Sequence, residues 1–385
     1  MSCMTTVEFI ESAKTGISSS SARRWASDLF THYCSFCARV VLRIRKPLII
    51  GVTGSAGKTT TVHTITTVLR HPAARQIIGE VACSVRNMNN DLGLPLTVLR
   101  YERWITWNQL WKVPLLLPRA LWLAFFARYP RVLVLEYATH WEGHLHRLVK
   151  VARPSIGVVT TIGPAHLDRL KTLHGVMHEK SAIVSSVPAS GLVVLGSDHD
   201  YVGDLEARAK GQVVKLPGRG ADLARGIAQV VALHLGVPKQ EIDAALAEVS
   251  PVHGRLNELR LGGKTVIDDS HNANPLSMRL GLDRLAEVAQ PGQRRIAFLG
   301  SMGELGDETA QYHQQIGAYA QQKANVVIGV GELARHYSPD HWFPDSGECA
   351  RQVHRLVGAD DCVLVKGSAS VHMDVLIEPL RAVSS

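Results

Sequence analysis

Gly51-Val52-Thr53-Gly54-Ser55-Ala56-Gly57-Lys58-Thr59-Thr60-Thr61 follows the apolar run Pro47-Leu48-Ile49-Ile50. In order, this reads as a buried strand, a glycine-rich turn and a helix opening at about Lys58. Such a turn aims successive backbone N–H groups at one phosphate, and the helix N-terminus adds its positive end. Gly54, Ser55, Ala56, Gly57 and Thr60 would line that cradle. Lys58 would reach the β/γ-phosphates of ATP, and the Thr59 hydroxyl would hold Mg²⁺. The pattern G-x-x-x-x-G-K-[ST] wants glycine at 52, where the chain has Val52; glycine stands instead at Gly51 and Gly54. A chance Lys-Thr after a glycine turn is the bland alternative, and the order strand, loop, helix speaks against it.

The rest of the composition narrows the class. A length of 385 residues suggests two or three domains, and 46% hydrophobic with 20% charged residues describes a globular protein with ample core. The net charge of +8 suits a phosphorylated or carboxylate-bearing substrate, while scattered lysine and arginine exclude a nucleic-acid module. Cys34-Ser35-Phe36-Cys37 is a lone C-x-x-C, so buried thiols are expected there rather than zinc. No signal peptide opens the chain, which points to a reducing cytoplasm.

Residues 1–45 begin polar, with a serine cluster at 18–21, and turn amphipathic and basic from Arg23 to Arg45. A helix docked on the body is one reading. A membrane-surface helix is the sharper one, because Trp25, Phe30, Tyr33 and Phe36 alternate with basic residues. Residues 101–130 carry Trp104, Trp107, Trp111 and Trp122 around an apolar run that Pro114, Pro118 and Arg119 interrupt. That run is too short to span a bilayer and reads as a helical hairpin beside the substrate cleft, with membrane contact as a minority option.

The spelling T-G-S-x-G-K-T-T resembles the Mur ligase family of ATP-dependent amide-forming enzymes, and further stretches extend the resemblance to its D-alanyl-D-alanine-adding branch. Asn87-Met88-Asn89-Asn90-Asp91-Leu92-Gly93-Leu94-Pro95-Leu96 is similar to N-x-N-N-[DE]-x-G-x-P-L, and Gly163-Pro164-Ala165-His166-Leu167-Asp168 to G-P-x-H-L-[DE]. Pro251-Val252-His253-Gly254-Arg255-Leu256 is similar to P-V-x-G-R-L, and Asp268-Asp269-Ser270-His271-Asn272-Ala273-Asn274-Pro275 to D-D-x-Y-N-A-N-P. The resemblance implies Mg²⁺ on Thr59, Glu136, His166 and a carbamate of Lys180, with Arg255 contacting the phosphates and Asp269 and Asn272 on the nucleoside side. Carbamylation needs a neutral amine, about one lysine in a few thousand at pH 7 without help from burial. Domain closure would bring Arg255 and Asp269 onto the nucleotide.

On residues alone, several of these have plainer readings: Asn87, Asn89 and Asn90 as turn residues, Lys180 as a surface ion-pair lysine. The Asn87–Asn90 amides would otherwise hold a polar substrate, as would Lys366 and Ser368 of Lys366-Gly367-Ser368-Ala369. Glu136, ending the apolar run 131–135, sits where a parallel strand points a carboxylate into a ligand crevice. His140, His144 and His146 follow, and are expected to be solvated helix histidines rather than a metal set.

Departures from the branch's patterns lie at Gly220-Ala221-Asp222-Leu223-Ala224, His271, Ser301 and Ala369. They put adenine recognition and a dipeptide carboxylate in doubt.

The fold expected is α/β: an N-terminal helical extension at 1–45, a P-loop domain with a mostly parallel sheet at 46–250, and a Rossmann-like doubly wound domain at 251–385. The function expected is ATP- and Mg²⁺-dependent amide formation through an acyl phosphate, from a carboxylic acid and an amine such as an amino acid or peptide. Forty-odd residues before the loop are too few for the nucleotide-sugar domain of the wall-building relatives, which favours a small non-UDP acid. A muramoyl-peptide ligase, an inactive nucleotide-binding regulator and a polyglutamate-adding enzyme are the alternatives.

Overall fold

The computed structural model describes residues 21–84, 88–105, 107–261 and 263–382. The chain falls into two compact units. The first comprises residues 1–54, 61–160 and 178–248; the second comprises 55–60, 161–177 and 249–385.

Six parallel strands form the sheet of the first unit, in the order β2-β3-β1-β4-β5-β6. They are β1 (Leu48–Thr53), β2 (Val81–Cys83), β3 (Val132–Glu136), β4 (Ile156–Val159), β5 (Leu192–Gly196) and β6 (Gln212–Leu216). The inner strands are near-continuous apolar runs because helices cover both of their faces. Period-two alternation sorts the side chains. Ile49, Leu133 and Leu135 enter one core cluster, while Ile50, Val52, Val132 and Val134 enter the other. Strand β1 lies between β3 and β4, pairing Val52 with Glu136 and Thr53 with Val159. The sheet's order reverses at this position, so the carboxyl ends of three strands open where such folds bind ligands. The short segment after residue 191 still completes a strand, a Val202–Glu206 helix and the edge strand β6.

A 25-residue helix, Ser21–Arg45, packs on the first unit. Cys34, Cys37, Ala38 and Val41 are its buried face, and both thiols are free and buried, as expected. Arg45 donates from Nε to the Leu123 carbonyl (2.8 Å) and from Nη2 to that of Ala127 (2.5 Å), satisfying the C-terminal end of the Leu116–Phe125 helix. The expected helical hairpin over 101–130 is corrected. A 3₁₀ stretch, Trp107–Leu115, with Pro114 inside it, is followed without an intervening loop residue by the Leu116–Phe125 helix, so no hairpin turn separates two helices there. Trp25 and Trp107 side chains and the serines at 18–20 lie outside what is described.

The second unit holds another six-stranded sheet, ordered β11-β10-β9-β12-β8-β7. Its strands are β7 (Asn257–Leu261), β8 (Lys264–Asp269), β9 (Arg295–Gly300), β10 (Val326–Val330), β11 (His341–Phe343) and β12 (Cys362–Lys366). All neighbours are parallel except β7 with β8, which a short turn joins. After β12 the chain forms 3₁₀ turns and only then the Ile377–Ala382 helix. His372 is the reason: its φ of +53° breaks the helical run.

Candidate active site

The loop after β1 takes conformations only glycine adopts readily, with φ of +149° at Gly54 and +81° at Gly57, before the Lys58–Arg70 helix begins. Ser55 is buried and fastened twice to one residue. Its hydroxyl donates to the Gly163 carbonyl at 2.8 Å, and its oxygen accepts from the Gly163 N–H at 3.0 Å. Ser55 N–H donates to the Thr161 carbonyl (2.9 Å) and Ala56 N–H to the Thr161 hydroxyl (3.2 Å). Asn274 closes the set from far along the chain. Its Nδ2 donates to the Ser55 carbonyl at 2.9 Å, while its Oδ1 accepts from Ser277 N–H at 2.8 Å, capping the Pro275–Val288 helix. Lys58, Thr59 and Thr60 are half-buried at the helix start.

In the first unit, Glu136 is buried at the end of β3 and accepts from Asn89 Nδ2 at 2.9 Å. Asn90 has a turn role: its Oδ1 accepts from the N–H groups of Leu92 (3.2 Å) and Gly93 (3.0 Å). Asn87 lies outside the described residues. Trp104 is half-buried, its ring tip so near Gly93 that a Cβ there would sit 2.9 Å away.

Lys180 is buried, 1% exposed, on the Leu173–Ser186 helix. The surface-lysine reading therefore fails. Beside it, buried Glu179 gathers the 139–145 loop, accepting from Leu145 N–H (2.5 Å), Gly143 N–H (2.7 Å) and the Thr139 hydroxyl (3.2 Å). The solvated reading of the histidines holds for His146, 46% exposed, and is corrected for His144. His144 is fully buried, 3.1 Å from Asp91 Oδ1 through Nε2, and stacks on Trp141 with ring centroids 4.0 Å apart. It opens the His144–Val151 helix and faces the core, where burial of an imidazole calls for a polar partner.

In the second unit, His166 and Glu304 are both non-glycine residues in the left-handed region, with φ of +56° and +61°. Their side chains meet, Nδ1 to Oε2, at 2.5 Å. At the ends of adjacent β8 and β12, paired in register, Lys366 Nζ lies 2.5 Å from Asp269 Oδ2 and donates to the Asn272 carbonyl at 2.9 Å. Asp269 also accepts from Leu256 N–H at 3.2 Å. Burial pushes the Asp269 carboxyl up, opposed by Lys366 and Arg255, and burial pushes the Lys366 ammonium down, opposed by Asp269. Lys366, expected to face a substrate, is thus committed to Asp269. Asn272 is exposed, and its Oδ1 accepts from Ala273 N–H at 2.9 Å. The Ser368 hydroxyl donates to the Ser301 carbonyl. Arg255 is half-buried in the turn before β7. His313 is buried, accepting from Met302 N–H through Nε2 (3.0 Å) with Nδ1 2.7 Å from the Thr309 carbonyl, which fixes the Nδ1–H tautomer. Burial lowers its pKa.

Glu179, Glu304 and the Asp91–His144 pair were missed in the sequence. Glu304 had a signal, since it stands three residues after Ser301, one of the departures from the branch's patterns, in the glycine-rich stretch Gly300-Ser301-Met302-Gly303-Glu304-Leu305-Gly306.

Two family models match the chain: the Mur ligase middle domain over residues 52–234 and the Mur ligase glutamate ligase domain over residues 254–369. A UDP-N-acetylmuramoyl-tripeptide–D-alanyl-D-alanine ligase of Mycobacterium bovis is 32% identical over 329 residues, which are 74% of this chain and 58% of that protein. The chain therefore spans little more than half the length of this relative. Among solved structures, MurF from Thermotoga maritima in complex with ADP superposes with a TM-score of 0.75 at 22% identity, covering 92% of this chain and 84% of that one. A bifunctional folylpolyglutamate synthase/dihydrofolate synthase from Yersinia pestis gives 0.62 at 18% identity, covering 90% and 93%. These two likenesses speak for the fold.

Proposed function

The chain belongs to the Mur ligase family, and from that premise we propose that it is an ATP- and Mg²⁺-dependent ligase joining a carboxylic acid to an amine. The observation that carries this is the phosphate loop: positive-φ glycines, a helix N-terminus at Lys58 and a backbone tied at Ser55 before any ligand arrives.

In the reaction proposed, a carboxylate oxygen of the acid attacks the γ-phosphorus of ATP, ADP departs, and an acyl phosphate forms. The amine nitrogen then attacks the acyl carbon, inorganic phosphate leaves with the C–O electron pair, and a proton is lost from nitrogen. Lys58 and Arg255 neutralise charge on the transferring phosphoryl group, and the tied loop orients it.

The donor set suits a metal. Thr59 and Glu136 are oxygen donors, and His166 meets the Glu304 carboxylate through Nδ1, a contact common for metal-bound histidine. Mg²⁺ bound there supplies charge neutralisation at phosphate. Lys180 is assigned a carbamate that contributes a further oxygen ligand; its place inside the first unit, on the Leu173–Ser186 helix, supports a role other than a surface ion pair.

For the acid, the relatives' names support a UDP-muramoyl peptide over the small acid, an expectation that rested on residues before the loop alone. The amine is left open: Ala369 is exposed where the branch has arginine, and Lys366 is held by Asp269. A cytoplasmic reaction follows from its need for ATP. The test is mass spectrometry of the purified chain with Mg-ATP, UDP-N-acetylmuramoyl-tripeptide and D-alanyl-D-alanine, beside a panel of other acids and amines. An ATP-dependent amide of the muramoyl peptide is the expected product. ATP-dependent condensation of small acids alone would return the reading to the small-acid ligase, and no condensation with any pair would leave a nucleotide-binding regulator.

A further inference from the structure

Large apolar side chains are exposed mostly in one part of the first unit. On the Ser21–Arg45 helix they are Leu29, Phe36 and Ile44, which recur after seven and eight residues and so fall along one line, beside the buried Cys34–Cys37–Val41 face. On the 3₁₀ stretch and the Leu116–Phe125 helix they are Trp111, Trp122 and Phe125, with Phe126 just beyond at 80% exposure. The two helices pack on each other and are tied by Arg45, so both sets belong to one adjoining pair of elements.

The same segments concentrate the positive charge. Residues 21–46 hold six lysines and arginines and one acid, and residues 101–130 hold four and one. Together they account for the whole net charge of +8, and the remaining residues balance to zero. Arg43, Lys46, Arg103 and Arg128 are exposed, with Asp28 and Glu102 the acids among them. Exposed aromatic rings set among basic side chains match the two layers of an anionic lipid surface: apolar groups enter the acyl boundary while cations stay at the headgroups. A partner protein's apolar face would use the rings but leave a charge of this size unanswered. No helix among the described residues is long and apolar enough to cross a membrane, so contact would be with one leaflet.

We propose that this face binds peripherally to anionic lipid bilayers, holding the ligase at a membrane surface. The test is co-sedimentation of the full chain with vesicles rich in phosphatidylglycerol and with pure phosphatidylcholine, at low and high salt. Binding to the anionic vesicles alone is expected, weakened by salt. Trp122→Ser with Phe125→Ser and Phe126→Ser should abolish it, and Arg43→Gln with Lys46→Gln should weaken it about 25-fold, from about fivefold per charge. Thermal melting checks that each variant folds. If the serine variant does not fold, the glutamine pair, which lies outside the core, carries the test. The proposal is overturned by a chain that stays in the supernatant, by equal binding to neutral vesicles, or by folded variants that bind as the parent does. It is also overturned if the parent is a dimer that the serine variant disperses, since a second copy would then cover the face.

Discussion

The two units carry the same scaffold, a six-stranded, largely parallel sheet wrapped by helices, and use their strand ends in opposite ways. In the first, β1 runs into a glycine turn at Gly54 and β3 ends in buried Glu136, which accepts from Asn89 Nδ2. In the second, β8 and β12 end in Asp269 and Lys366, which neutralise one another at 2.5 Å. One set of ends presents a glycine turn and a buried carboxylate, and the other pairs opposite charges across neighbouring strands. The sheet does not decide chemistry; the groups at its carboxyl edge do.

This contrast can be broken most directly at Lys58. Lys58→Ala should lower Mg-ATP-dependent phosphate release by about 10³-fold or more, as removal of a charge-stabilising donor does, with little change in thermal midpoint. Undiminished turnover would remove the first sheet's loop from the chemistry.

At the other sheet the loss should be in stability. Lys366→Met leaves Asp269 buried without its cation and should cost about 3–4 kcal/mol in urea unfolding, most of it recovered when Asp269→Asn is added. An unstable double variant would mean that the pair is not self-contained.

A smaller effect sharpens the picture inside the first unit. Glu179→Ala removes the acceptor of the Gly143 and Leu145 N–H groups, and a loss of about 2–3 kcal/mol is expected, partly offset by entering water. A neutral ΔΔG would show that the 139–145 loop holds without it.

The smallest is a pH effect. Because burial lowers the pKa of His313, the unfolded chain takes up its proton first as pH falls below about 6.5. Stability from this group is therefore complete above that pH and declines by up to about 1.4 kcal/mol per pH unit until the folded-state value is reached. His313→Gln should flatten that slope in denaturant titrations, and an unchanged slope would count against the assignment.

What could be read beforehand follows the range of the interaction. Both sheets were legible because short, near-continuous apolar runs bounded by turn residues are local signals, and Glu136 was legible because a strand end fixes its place. Glu179 and the Asp91–His144 pair were not, since nothing local distinguishes an acid that meets a buried partner from one that meets water. Lys366 was placed on the right loop and given the wrong neighbour, for the register of β12 beside β8 decides that it meets Asp269. Pro114 and Pro118 signalled a break in 101–130, but not that a 3₁₀ stretch would pass into a helix with no loop between them.

Asn274 has a consequence for how the molecule is made. It fastens the Ser55 carbonyl across 219 residues of sequence. At about 5–20 residues per second, a ribosome would finish Ser55 roughly 10–45 s before it reached Asn274. During that interval the nascent phosphate loop lacks this tether, so nucleotide affinity should mature only as the second sheet begins to emerge.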